Sequence, residues 1–181
     1  MQNKKIAIVA SEPVSEYKNF NDPLHGITLK YPKGWQEEKC GGDCILKLNY
    51  GKLFDFYPEG GLFLAATSTS EENNAEKKIG NIQKIIDADY YTPAGVGGVG
   101  TNYSRESFRY SISNFKNKNE VQFYHYDYVG KYSYVDSGYF FNTPKGYTII
   151  MGAEIPGVVR KSGEIEFAPE FSEFIDSIKF Q

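Results

Sequence analysis

Cysteine, methionine and histidine are scarce in this sequence, with two of each in 181 residues, and there is one tryptophan. Two cysteines cannot make a four-ligand zinc site, and nothing beside Cys40 or Cys44 offers the missing ligands. Two histidines and no GxSxG string give nucleophilic catalysis no recognisable signature. Basic residues are not in excess either: 20 Lys plus Arg stand against 23 Asp plus Glu, a formal charge of -3. The charges are spread along the chain, so no basic stripe tracks a phosphate backbone, and nucleic acid is excluded as a partner. No apolar run approaches the roughly 20 residues that span a bilayer. The opening MQNKKIAIVASEP holds a five-residue apolar run, shorter than the about 7 to 15 residues of a signal-peptide core. It reads as the remnant of a trimmed export signal or as a tail.

Aromatic residues, by contrast, are abundant: 15 Tyr and 13 Phe bring the aromatic share to 16%. Such side chains favour the pleated, half-buried surface of a strand. Length predicts one domain that buries about 70% of its unfolded surface and needs no metal or disulfide to fold. The composition thus predicts a β-rich α+β domain, with residues 1–19 as a tail or lead-in and 20–181 as the domain.

The organising stretch is Gly26 to Trp35, GITLKYPKGW. Ile27 and Leu29 alternate with polar residues, the period of a half-buried strand, and Pro32 cannot continue a central ladder. Lys33 and Gly34 turn the chain and return Trp35 toward the sheet as one large anchor. Further strands are predicted at 36–39, at 45–50 with Leu46, Leu48 and Tyr50 on one face, and in the apolar run LFLAAT, which suits a strand covered on both faces. Ser70, followed by Glu71 and Glu72, predicts a helix start. That helix runs to about Asp89, its stripe formed by Ala75, Ile79, Ile82 and Ile86. After a glycine-dense break at 93–100, alternation through Phe108, Tyr110 and Ile112, then VQFYHYDYV, KYSYVDSGYFF and YTIIMGAEI, predicts a run of hairpins. Pro169 opens a last helix whose Phe171, Phe174, Ile175 and Ile178 follow helical spacing.

The glycine-led strand closing on Tyr-Pro-x-x-Trp, with Phe20 before it and FSEFIDSIKF at the far end, resembles the PsbP-like family. That family is named for the extrinsic photosystem II subunit of plants and algae. The resemblance runs from about Phe20 to Phe180. It implies a central antiparallel β-sheet with helices packed on both faces, an α/β/α sandwich. It implies no common activity, since one relative serves oxygen evolution in the thylakoid lumen and another binds the small GTPase Ran.

Several residue groups are candidates for chemistry. Gly95 to Gly100 matches GxGxxG, but a helix precedes it and a strand follows, the reverse of the dinucleotide order, so it reads as a loop. Cys40 and Cys44 flank Gly-Gly-Asp, which turns easily; a disulfide, two free thiols and half of a metal site are the alternatives. Asn102-Tyr103-Ser104 fits a glycosylation sequon. His25 reads as a surface residue. If Gly130-Lys131 is the whole loop of a type II′ hairpin, His125 faces Asp136 and Asp127 faces Tyr134. His125, Asp127 and Asp136 then share a face, as a metal site or a cross-strand ion pair. Tyr124, Tyr126, Tyr128 and Val135 fall on the opposite face, as a platform for sugar rings or a partner, or as core beneath a helix.

The leading expectation is a non-enzymatic binding or assembly module, monomeric and without cofactor, whose partner is another protein or a cell-envelope component. It is expected outside the cytoplasm, exported by a signal missing from this chain, with a cytoplasmic location as the alternative. Two other classes are a small hydrolase or lyase working near His125, Asp127 and Asp136, and a cell-envelope carbohydrate binder using the tyrosines.

Overall fold

The computed structural model describes residues 16–51, 59–87, 109–129, 134–160 and 164–181. In these residues the elements run β1 (Tyr17–Asp22), β2 (Ile27–Pro32), β3 (Gln36–Glu37), β4 (Cys44–Gly51), β5 (Gly60–Ser68), α1 (Ala75–Asp87) and β6 (Arg109–Lys116). There follow β7 (Gln122–Val129), β8 (Tyr134–Asn142), β9 (Tyr147–Val159), β10 (Ile165–Phe167), α2 (Pro169–Ser177) and β11 (Lys179–Phe180). The glycine loop at 95–100, the sequon at 102–104 and the Gly130-Lys131 pair lie outside the described residues.

Among the described residues every strand pairing is antiparallel, and two sheets result. The large one runs β3-β4-β5-β9-β8-β7-β6, with β10 paired to β9. The small one is β1-β2-β11. This corrects the expected α/β/α sandwich: strands dominate, and a second sheet forms a layer of its own. Ile27, Leu29 and Tyr31 from β2 join Phe171, Phe174 and Ile175 from α2 in one apolar cluster with the large sheet's Leu48, Leu64, Phe123, Phe141, Ile149 and Met151. Strand β2 is legible from its alternation, but its pairing with β11, Lys179 opposite Thr28, leaves no local signal, which is why the sequence does not announce a separate layer.

The alternating residues sort as the pleat requires. Leu46, Leu48 and Tyr50 are buried while Lys47 is exposed and Asn49 half-buried. In β5, Leu62 and Leu64 are buried, but Phe63 on the other face is 44% exposed, so this strand is not covered on both sides as its apolar run predicts. Helix α1 begins at Ala75, later than Ser70 predicts. Asn74 caps it, its Oδ1 accepting from Lys77 N–H at 2.9 Å, whereas Ser70 Oγ accepts from Asn73 N–H in the turn before. Ala75 and Ile79 pack with half-buried Ile82 on Phe140, Ile112, Tyr124, Tyr126 and Ile150.

Strand β1 starts at Tyr17, inside the residues read as a lead-in. Gly26, at φ 75°, closes the β1-β2 turn by donating its N–H to Asp22 O at 2.9 Å, a left-handed backbone position that suits glycine. The turn after β2 closes when Trp35 N–H donates to Pro32 O at 3.0 Å. The indole, 4% exposed, lands between Tyr50 and Phe174, with ring centroids at 5.1 and 5.7 Å. Strand β9 departs from regular pairing at Ile155, whose φ of 55° is rare for a β-branched residue. Across it β8 pairs Tyr134 with Val158 but Asp136 with Glu154, so β9 carries a bulge there.

Candidate functional site

Strands β6 and β7 pair in register from Arg109 opposite Val129 to Lys116 opposite Gln122. That register sets Ser113 opposite His125 and Ser111 opposite Asp127. On the other side, β8 places Tyr139 opposite His125 and Ser137 opposite Asp127. Alternation gives these side chains a common face, and they form one hydrogen-bonded cluster. Ser113 Oγ lies 3.0 Å from His125 Nδ1, and His125 Nε2 lies 2.9 Å from Asp127 Oδ1. Asp127 also accepts from the Ser137 hydroxyl, and from Ser111 Oγ at 3.4 Å.

His125 is 7% exposed and Asp127 4%, yet Ser111 and Ser113 face solvent. The imidazole stacks on Tyr139 with centroids 4.2 Å apart and planes at 22°, and Phe115 stands edge-on at 6.0 Å. Burial, with the nearby Asp127 charge added, pushes the Tyr139 phenol well above the ordinary range and so keeps it protonated.

Asp136 does not join this group. A two-residue loop would pair positions whose numbers sum to 261, whereas the observed pairs, such as His125 with Tyr139, sum to 264. The shift of three is odd, and an odd shift moves every side chain of the strand to the other face. Asp136 therefore lies opposite Tyr128 on one side and Glu154 on the other, while Val135 joins the His125 face opposite Val129. Among the described residues no group of three His, Cys, Asp or Glu side chains is placed to hold a metal ion.

The displaced aspartate has a measurable signature. Burial, followed by the Glu154 charge, raises its pKa from 3.8 to about 6. Because the folded value lies above the unfolded one, the fold disfavours the ionised form, and stability falls as pH rises from about 4 to 6. Asp136→Asn is expected to stabilise the protein by about 1 kcal/mol at neutral pH, the shift being discounted because the side chain is only half-buried. The gain should vanish at about pH 4. Urea midpoints of both proteins at the two pH values check this, and a variant less stable at neutral pH would contradict it.

The tyrosine row is not an open platform. Tyr128 is buried, and half-buried Tyr124 and Tyr126 pack in the cluster under α1, with Tyr126 lying over Gly138. A Cβ at Gly138 would meet the Tyr126 ring at 2.1 Å, so this close approach requires glycine. His25 is half-buried rather than free, its Nδ1 2.5 Å from Asp22 Oδ2 and its ring edge-on to Tyr147. Cys40 and Cys44 are joined as a disulfide, with Cα atoms 5.4 Å apart.

Sequence reading placed His125 and Asp127 together but missed the serines. The signal was present: Ser-Ile-Ser at 111–113 mirrors His-Tyr-Asp at 125–127 across a turn, both at period two. It becomes legible only once the turn after Lys116 fixes the register.

No family model matches the sequence, and no curated protein matches it. No helix among the described residues is long and apolar enough to cross a membrane. Among solved structures, the chain is similar to the solution structure of cyanobacterial PsbP (CyanoP) from Synechocystis sp. PCC 6803. The likeness has a TM-score of 0.52 at 10% identity and covers 97% of this chain and 99% of that one. Nearly end to end in both, it agrees with the resemblance carried by the Tyr-Pro-x-x-Trp strand and the final helix: the chain has a PsbP-like fold.

Proposed function

We propose that the chain is a non-enzymatic binding or assembly module of PsbP-like fold, acting outside the cytoplasm on a protein partner or cell-envelope component. The observation that carries this reading is the likeness to cyanobacterial PsbP over 97% of the chain, which supports a whole domain of that architecture rather than a borrowed motif. The Cys40–Cys44 bridge supports an oxidising compartment, where such bonds persist. Against a sugar-binding role, the tyrosines that would stack on sugar rings are buried or packed under α1.

The test uses protein isolated from its native source with thiols alkylated at lysis. Cys40 and Cys44 should both escape alkylation, and crosslinking before lysis should join the chain to one recurring partner that rebinds saturably when purified. Two alkylated cysteines would remove the extracytoplasmic half of the proposal. Failure to find a saturable partner would remove the other half.

A further inference from the structure

We propose that Ser113 is an activated nucleophile, able to accept an acyl or phosphonyl group from a small electrophile approaching from solvent. The argument begins at Asp127. It accepts from Ser137 at Oδ1 and from Ser111 at Oδ2, so its oxygens are used as acceptors, and His125 Nε2 at 2.9 Å must be the donor. In a neutral imidazole the other nitrogen is then an acceptor. Nδ1 therefore receives the Ser113 hydroxyl proton across 3.0 Å.

The ring is held in this orientation. Tyr139 covers one face and Phe115 stands at its edge, while the carboxylate fixes Nε2. Nucleophile, base and orienting carboxylate thus stand in line, with the two activating residues buried and Ser113 exposed. This is the arrangement by which a weak hydroxyl nucleophile is activated, here across strands β6 and β7. Phe115 and Tyr139 pack against the imidazole, while Ser113 is exposed.

In the transfer, Ser113 Oγ bonds to the phosphorus of a phosphonofluoridate, or to the carbonyl carbon of an activated ester. The P–F or C–O bond breaks, and the hydroxyl proton passes to His125 Nδ1 and from there to the departing fluoride or alkoxide. One transfer is all the proposal requires, so it stands or falls apart from partner binding.

The test treats the full chain with a biotinylated fluorophosphonate and follows adducts by intact mass and peptide mapping. The expected product is one adduct per chain, on Ser113, absent in Ser113→Ala. His125→Gln and Asp127→Asn should slow labelling by about 100-fold or more, the range lost when a positioned base is removed. The conservative choices keep the volumes, and the position of the adduct in the wild-type chain needs no variant. A purely structural cluster predicts labelling no faster at Ser113 than at other serines and indifferent to His125→Gln. Any of these results overturns the proposal.

Discussion

Trp35→Ala is expected to lower the stability of the fold by about 3 to 5 kcal/mol, the cost of truncating a large buried ring that its surroundings cannot refill. The indole is 4% exposed and bridges parts of the molecule far apart in sequence: Tyr50 belongs to the large sheet, and Phe174 to the helix that lies with the small sheet. Removing it opens a void where these layers meet, and neither ring can follow without leaving its own element. For a chain of this length the loss corresponds to a fall in Tm of roughly 6 to 20 °C. Trp35→Phe, which keeps an aromatic ring in the gap, should recover more than half of it. Urea unfolding followed by circular dichroism measures both variants. A loss for the alanine variant below about 1 kcal/mol, the typical cost of any substitution, would show that the layers do not depend on this anchor.

The second large effect concerns a residue with no apolar surface to bury. Asn117→Ala is expected to cost about 3 kcal/mol, because four hydrogen bonds of one buried side chain disappear together. Asn117 Nδ2 donates to Ile175 O and Ile178 O at 2.8 and 2.7 Å, and Oδ1 accepts from Asn119 N–H and Val121 N–H at 3.0 and 3.1 Å. The first two bonds tie the side chain to the end of α2, where Ile175 O also accepts from Ile178 N–H at 3.3 Å and Ile178 O lies past the last helical donor. The other two shape the β6-β7 turn. Asn119 adds a bond from its own Nδ2 to Asp176 O at 2.8 Å, and Lys118 an ion pair to the Asp176 carboxylate at 2.6 Å. Asn119→Ala, exposed and making weaker use of the same helix end, should cost about 1 kcal/mol. Urea midpoints decide the matter. Equal losses for the two asparagines would mean that the buried position has no special role.

The contrast between these residues shows what could be read from the chain beforehand. Trp35 was legible because a lone tryptophan after Tyr-Pro-x-x has few places to go except back onto the sheet. The apolar spacing of Phe171, Phe174 and Ile175 was legible for the same kind of reason, and all three are buried in α2. Asn117 was not, since an asparagine in a turn looks like any other until the helix that it caps is in place. Asp136 falls on the opposite face from the one a two-residue loop predicts, because one odd slip in register reverses a whole strand. Antiparallel pairing follows from local hairpins and was foreseen. The β2-β11 pairing joins residues some 150 positions apart, as in Lys179 opposite Thr28, and no local pattern announces it.

That distant closure also governs how the protein reaches its native state. Strand β2 can zip to β1 early through the tight turn at Gly26, but its opposite edge waits for β11, and the apolar side of α2 cannot settle until both are present. Contacts so far apart in the chain make for slow folding, on the order of milliseconds to seconds, because loop entropy is lost before the pairing rewards it. Meanwhile an incomplete chain offers an open ladder of backbone groups at β2, a surface prone to join another molecule. A cell making this protein would thus benefit from a chaperone that shields the edge at Ile27 and Thr28 until the polypeptide's distant end arrives.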